Sequence, residues 1–351
     1  MAKTRIGLDI GATAVRAAEV SVNGSAALVR AAQVPLDSKS VENGEVQKPE
    51  EVGEAIRELW RAGGFRSRQV YMGVANQRVV VREVALPWLP EKELKDSLPY
   101  QVQEYIPISV NDAVLDYDPL DEFEHEGRRM LRILLVAAQK SMVATLIETA
   151  ASARLEPAGV DLVPFALLRS VGNLHDGAVL DDSGEEAVVD VGADVTSICV
   201  HDRGTPRFVR ILPSGGSDIT QAVARALGVS EEEADRVKRG EPTAAGGPNP
   251  EDAKRVAAGR TTSFVDEIRS SLEFYAAQSP GSKVSRLTVT GGGSKLEGFM
   301  ELLSERIAAT VNRGHVFGRV TPQLNLTDQA LAEAEPLLAV AVGLALPGDR
   351  A

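Results

Sequence analysis

The sequence has a single cysteine, Cys199, in 351 residues. That excludes an intramolecular disulfide and a multi-cysteine metal site, and it fits a reducing compartment. Cys199 falls in a predicted strand and reads as an inert core thiol. Histidine is scarce too. His125, His175, His201 and His315 show no metal-ligand spacing and read as surface or loop residues. Long apolar runs are also lacking. The N-terminal stretch reaches Asp9 after a few apolar residues, too few for a signal-peptide core. The longest run, Pro336 to Pro347, falls short of the ~20 residues that span a bilayer. Positive charge is in deficit: 38 Lys and Arg stand against 50 Asp and Glu, a formal charge of −12. A general nucleic-acid binder needs a basic face, so this balance argues against one. The expectation is a cytoplasmic protein that reaches a membrane only through a partner.

What is present is an ordinary globular composition, 44% hydrophobic and 25% charged, long enough for two domains. Arg5 to Gly11 reads as a buried strand ending in a glycine turn, and Val15 to Val22 as its returning partner. Asp37 to Pro49 reads as a polar loop. Pro49 to Ala62 is an amphipathic helix, with Val52, Ala55, Ile56 and Leu59 on one face and Gly63-Gly64 as its stop. Strands are predicted at Val70–Val74 and Val79–Val84. The helical stretch Glu91–Ile106 carries Pro99, which predicts a break near Leu98. Two further strands, Val114–Tyr117 and Arg132–Ala138, flank an acidic hairpin loop at Asp121–Gly127. Helices are predicted at Ser141–Ala153 and at Val160–Val171, the second interrupted early by Pro164, and a polar joint at Leu180–Glu186. Beyond Ala187–Val200, a strand–turn–strand, come helices at Ser217–Leu227, at Glu231 to about Gly240 behind the cap Ser230, and at Ser263–Ala277. Glu241–Asp252 reads as a loop, Arg286–Thr290 as a strand, and Leu296–Ile307 and Pro336–Leu346 as helices.

Two segments repeat. Leu8-Asp9-Ile10-Gly11-Ala12-Thr13 and Val189-Asp190-Val191-Gly192-Ala193-Asp194 each end an apolar strand in Asp-x-Gly-Ala before a returning strand. A glycine turn can aim backbone N–H groups at a phosphate, and carboxylates at strand ends can hold a hydrated Mg²⁺. Two such turns could clamp a triphosphate, or simply cap two tight hairpins. Thr288-Val289-Thr290-Gly291-Gly292-Gly293-Ser294 adds a strand-to-helix turn open enough for a flat ligand such as adenine. Pro213-Ser214-Gly215-Gly216-Ser217-Asp218-Ile219-Thr220 adds a turn that opens a helix. The four in this order form a specific pattern.

With these residues the sequence resembles the actin-like ATPase superfamily, which includes actin, sugar kinases, chaperone ATPases, MreB and FtsA. Within it the chain is most similar to the PilM family of type IV pilus assembly proteins. That likeness rests on Leu86-Pro87-Trp88-Leu89-Pro90-Glu91-Lys92-Glu93-Leu94-Lys95, Tyr105-Ile106-Pro107 and Leu115-Asp116-Tyr117. FtsA proteins usually run longer and end in a membrane-binding helix, whereas this chain ends Leu346 to Ala351, which favours PilM.

The resemblance implies an α/β fold of two RNase H-like domains around a nucleotide cleft, with an FtsA/PilM-type insert. Residues 1–77 and 157–178, with a C-terminal helix at 336–351, would form the first domain. Residues 78–156 would form the partner-binding insert, and 179–335 the second domain, with a small subdomain at about 228–262. It implies ATP and Mg²⁺ as cofactors. Asp9 and Asp190 would orient the metal through water. Gly11, Ala12, Thr13, Gly192 and Ala193 would bind phosphates, and Arg16 would stand where a lysine is usual. Gly215 and Gly216 would lie near ribose, and Gly291, Gly292 and Gly293 at adenosine. Asp235 and Lys238 match a Glu-x-x-Lys pair, with Asp shorter by one methylene. Hydrolases of this fold place a water-orienting Gln or Glu where this chain has Val163. Asp161 is the nearby substitute or, equally, a helix cap. Valine cannot position a water, so slow or absent hydrolysis is expected.

The implied partner is a PilN-like inner-membrane protein, bound by its N-terminal cytoplasmic peptide in a groove between first domain and insert. A pilus motor ATPase, a platform protein and self-association are further candidates. In the insert, Trp88, Leu89, Leu94, Leu98 and Ile106 also fit a plain small core. A small-molecule kinase and a filament-forming protein like MreB or FtsA are the alternative functions.

Overall fold

The computed structural model describes residues 3–22, 24–173, 184–241, 249–279 and 281–348. His175, most of the Leu180–Glu186 joint, most of the Glu241–Asp252 loop and the chain's last three residues lie outside them.

The first domain opens with β1 (Thr4–Ile10), β2 (Ala14–Ser21) and β3 (Ala27–Pro35), an antiparallel meander. The stretch predicted as a polar loop holds a small hairpin, β4 (Val41–Glu42) and β5 (Glu45–Val46). Then α1 (Pro49–Gly63) starts on a proline whose missing N–H has no intrahelical role. It buries Val52, Ile56 and Leu59 and ends on left-handed Gly64, as its sequence predicts. β6 (Gln69–Val74) joins β1 in parallel.

The next strands build a separate sheet in the order β7-β9-β8, from β7 (Val80–Pro87), β8 (Ala113–His125) and β9 (Arg128–Gln139). It is covered by α2 (Glu91–Gln101), and Leu94, Leu98, Tyr117, Ile133 and Leu135 fill its own core. Two predictions are corrected here. The helix runs through Pro99 and stops two residues later, so the proline marks an end rather than a break. The acidic run 121–125 is strand, and only Glu126 and Gly127, both at positive φ, make the turn. Cross-strand arginines sustain those acids: Arg129 bonds Glu122 at 2.5 Å, and Arg132 reaches Asp121 at 3.5 Å and Glu83 at 3.2 Å. On its outer side β7 touches the later strand Thr205–Leu212 of the second domain.

α3 (Lys140–Ser152) returns to α1, placing Met142, Leu146 and Ala150 in the first domain's core. β10 (Glu156–Leu162) is that sheet's outer parallel strand, and α4 (Val163–Val171) follows directly. The predicted helix Val160–Val171 therefore begins late. Pro164 suits a first helical turn and not a second, so the residues before it stay extended.

The second domain repeats the plan: β11 (Glu185–Val191), β12 (Thr196–Asp202) and β13 (Thr205–Leu212) are an antiparallel meander. Helices α5 (Gly216–Leu227), α6 (Glu231–Lys238) and α7 (Pro250–Gln278) follow. α7 starts well before the predicted Ser263, because Asn249 caps it and Pro250 fills its first turn. Then come β14 (Val284–Thr290), α8 (Phe299–Arg306) and β15 (Thr310–Arg313). The sheet orders β3-β2-β1-β6-β10 and β13-β12-β11-β14-β15 are the same arrangement twice. The chain then returns to the first sheet as β16 (Thr321–Pro322) beside β3 and ends in α9 (Asp328–Ala345).

Between the two sheets lies the seam of α4 and α9, lined by Ala166, Leu167, Ala339, Ala341 and Val342. Its small residues permit backbone contact. A Cβ on Gly7 would stand 2.0 Å from the Ala341 carbonyl, and one on Gly343 would stand 2.0 Å from the Ala166 carbonyl. His201 is a further correction: it lies in β12, 1% exposed, because the equally buried Glu186 bonds its ring. His125 and His315 are exposed as expected. Cys199 is fully buried, and burial pushes its thiol well above the ordinary range.

Gly343→Ala should lower stability by about 2 kcal/mol or more through overpacking. Gly259→Ala, in α7 with open space around it, should raise stability by about 0.5–1 kcal/mol. Paired thermal melts check both.

Candidate functional site

The two Asp-x-Gly-Ala segments form hairpins of one geometry. Gly11 N–H donates to the Ala14 carbonyl at 3.1 Å, and Gly192 N–H to the Val195 carbonyl at 3.0 Å. Each glycine thus closes its own turn. The N–H groups of Ala12, Thr13, Ala193 and Asp194 have no hydrogen-bond partner among the described residues, so these four are the donors open to an anion. Register pairs Asp9 with Arg16 and Asp190 with Ser197. Directly paired residues share a face, so each aspartate stands beside the residue seven positions on.

Those two neighbours differ. The Arg16 guanidinium lies 3.6 Å from Asp9, with side-chain exposures of only 15% and 16%. Its Nε is buried without a partner, and so is the Ser197 hydroxyl. The second hairpin carries no cation. Burial pushes both carboxyls up, and Arg16 opposes this at Asp9. Asp190 is pushed up to about 7 by burial and by the Asp9 charge that faces it, with Arg16 only partly compensating. Two acids therefore share one site with one arginine, which leaves the pair short of positive charge. Among the described residues no three His, Cys, Asp or Glu side chains converge to hold a metal directly. Two carboxylates fit a hydrated Mg²⁺, which keeps most of its waters, and the unpaired donors of Arg16 and Ser197 fit an anion beside it.

The remaining predicted elements gather on the second hairpin. Gly216 N–H donates to the Gly192 carbonyl at 3.0 Å, and Ser217 N–H to the Ala193 carbonyl at 2.8 Å. The start of α5 is thereby spent on the loop it abuts. Lys238 bonds Thr220 Oγ1 at 2.6 Å and the Gly216 carbonyl at 3.3 Å, and pairs with Asp235 at 2.7 Å. Although burial works against it, Lys238 and Arg239 hold the Asp235 carboxyl below its usual range. Gly291, at φ +86°, presses against Asp190: a Cβ there would lie 2.5 Å from its Oδ1. Gly292 opens a short 3₁₀ turn, and a Cβ on Gly293 would lie 2.3 Å from Val191.

Asp161 does not stand with these groups. It bonds Arg169 at 2.5 Å and accepts Leu162 N–H at 2.7 Å, while Arg169 also donates to the Gly343 carbonyl at 3.0 Å. It ties β10, α4 and α9 together. Val163 is buried, with its Cγ2 against Gly73. Arg260, outside the sequence motifs, and Thr220 and Ser197, at the ends of two of them, also brace the site. Arg260 bonds Ser214 Oγ at 3.0 Å and Glu267 at 2.9 Å behind the Gly215 turn. Thr220 is the hub for Lys238. Ser197 occupies the position equivalent to Arg16, and the shared seven-residue offset was its only signal. A surface cavity of about 510 Å³ between β3 and α1 shares no residue with the hairpins.

Comparison with known proteins gives a consistent result. The family model of type IV pilus assembly protein PilM matches residues 7–349. A solved PilM-PilN type IV pilus biogenesis complex contains a chain 30% identical to this one, with 98% of each covered and a TM-score of 0.84. Cell division protein FtsA of Bacillus subtilis (strain 168) is 24% identical over 263 residues, 67% of this chain. That match spans 57% of the FtsA chain. MreB5 of Spiroplasma citri bound to ADP, 10% identical over 97% of this chain and 94% of its own, shares the fold with a TM-score of 0.54. The architecture is that of the actin-like ATPases.

The strained acid pair predicts a stability signature. Folded Asp190 keeps a proton that the unfolded chain has lost, so stability of the nucleotide-free protein should fall as pH rises from about 4 to about 7. Asp190→Asn removes the repulsion and should raise the Tm at neutral pH by about 2–8 °C. Scanning calorimetry of both proteins at several pH values checks this.

Proposed function

The chain belongs to the PilM family of type IV pilus assembly proteins, and from that premise we propose that it is a nucleotide-loaded assembly factor with little turnover. The observation that carries this is the half-buried Asp9–Asp190 pair, short of positive charge, between two turns with unused N–H donors. Ala12, Thr13, Ala193 and Asp194 N–H groups take the phosphates, and Arg16 neutralises them from the first domain. Asp9 and Asp190 hold the waters of Mg²⁺, which supplies the charge neutralisation that two carboxylates and a triphosphate require. Gly291 to Gly293 leave room for adenosine, and Asp235 with Lys238 faces the ribose side.

Slow turnover follows from what stands near the phosphates. Val163 has no group to orient or deprotonate a water. Asp161 is engaged by Arg169 and Leu162. The chain therefore keeps ATP as a structural ligand that draws the domains together.

The partner we propose is a PilN-like membrane protein, bound through its N-terminal cytoplasmic peptide. The solved PilM-PilN complex supports this reading. An extended peptide pairs with a sheet edge and seats alternate side chains in pockets. The insert offers the edge strand β8 and exposed apolar residues, with Tyr100 83% and Val114 42% accessible. Among the described residues no helix is long and apolar enough to cross a membrane, so attachment through such a partner suits the chain.

Denaturing the purified protein should release intact ATP, and Asp9→Ala should release none. Turnover should lie well below the ~1 s⁻¹ at the lower end of kinases; a kinase-like rate would refute the assembly reading. A synthetic PilN-type tail should bind with a Kd of about 100 μM or tighter by calorimetry, and absence of heat at that concentration range removes the partner.

A further inference from the structure

Among the described residues Glu186 is the most engaged buried acid, and the nucleotide site does not use it. It lies in β11, 3% exposed. Its Oε2 accepts from Asn173 N–H at 2.8 Å and from the His201 ring at 3.0 Å. Its Oε1 accepts from the Thr288 hydroxyl at 2.5 Å. His201 Nδ1 accepts Gly204 N–H at 3.0 Å, so the ring proton sits on Nε2 and points at Glu186. Burial alone would raise this carboxyl, but the bonds from His201, Thr288 and Asn173 outweigh it and keep it ionised.

The placement of these donors is the informative part. The chain passes from the first domain to the second after α4, at Gly172 and Asn173. It passes back between β15 and β16, where Arg319 lies. Arg319 donates to the Gly172 carbonyl. It is near enough that the Glu186 charge counters the burial acting on its guanidinium. The outgoing crossing therefore bonds this carboxylate directly through Asn173, and the returning one is tied to the outgoing one through Arg319 and Gly172. Glu186 and Asp190 share a strand and a face, four residues or about 13 Å apart.

We propose that Glu186 is a positioning residue for the interdomain hinge, clasping both crossing segments to β11 and so setting the angle between the two aspartate hairpins. Its effect on nucleotide loading rests on the function proposed above, whereas the clasp itself does not.

The test uses the full chain without nucleotide. Spin labels at Glu58→Cys on α1 and Glu273→Cys on α7, both exposed, report the distance between domains, since Cys199 is buried and unreactive. Glu186→Ala and Arg319→Met should broaden that distance distribution about twofold and speed exchange of the Asn173 amide about tenfold or more. Glu186→Gln retains an oxygen for Asn173 and His201. A width near wild type in that variant assigns the clasp to hydrogen bonds, and a width like the alanine variant assigns it to the charge facing Arg319; either supports the proposal. An unchanged width in Glu186→Ala and Arg319→Met, whatever their Tm, overturns it. Should Glu186→Ala fail to fold, Arg319→Met decides alone. Adding ATP and Mg²⁺ afterwards separates the two ideas: no response in wild type refutes the nucleotide reading and leaves the clasp result standing.

Discussion

Backbone contact at the seam governs this molecule. Gly7 meets the Ala341 carbonyl and Gly343 meets the Ala166 carbonyl at distances that leave no room for a methyl group. That fixes β1 on α9 and α9 on α4, and with them the end of β1 where Asp9 sits. α4 in turn touches β11 and β12 of the second domain. The positions of both aspartates are thus inherited from contacts among residues that carry no chemistry. Interiors packed to this density do not deform smoothly.

The cleft itself opposes folding. Asp9 and Asp190 are half-buried near each other with one arginine, Arg16, beside Asp9, and among the described residues no hydrogen bond or ion pair satisfies Asp190. Structural acids elsewhere in the chain are treated differently. Glu186 has three donors, Asp161 has Arg169, and Asp235 has Lys238 and Arg239. An acid left in deficit amid acids that are satisfied marks the place where a cation is expected from outside.

The fold and the grouping of most candidate site residues were legible because their signals are local. Each Asp-x-Gly-Ala turn lies in a strand, a tight turn and a strand within eighteen residues, and the repeat of Asp-x-Gly-Ala is visible without structure. The helix α1 announces itself through one apolar face, a proline start and a glycine stop. What was hidden depends on distant partners. His201 looks like a surface histidine until Glu186, on the neighbouring strand, is placed against its ring. Asp161 looks like a possible base until Arg169 closes on it. Residues 121–125 look like a loop because their acids are matched by arginines on the opposite strand. The start of α7 was concealed by the Gly- and Pro-rich composition just before its Asn249 cap. In each case local propensity was overridden by pairing.

The contact between β7 and β13 has a mechanical meaning. The inserted sheet hangs from the first domain through α3 yet rests against an edge of the second. A body supported at two points that rotate relative to one another must tilt when they do. The insert therefore behaves as a pointer on a dial, converting a change of angle at the cleft into displacement at its far tip, the Glu126–Gly127 turn.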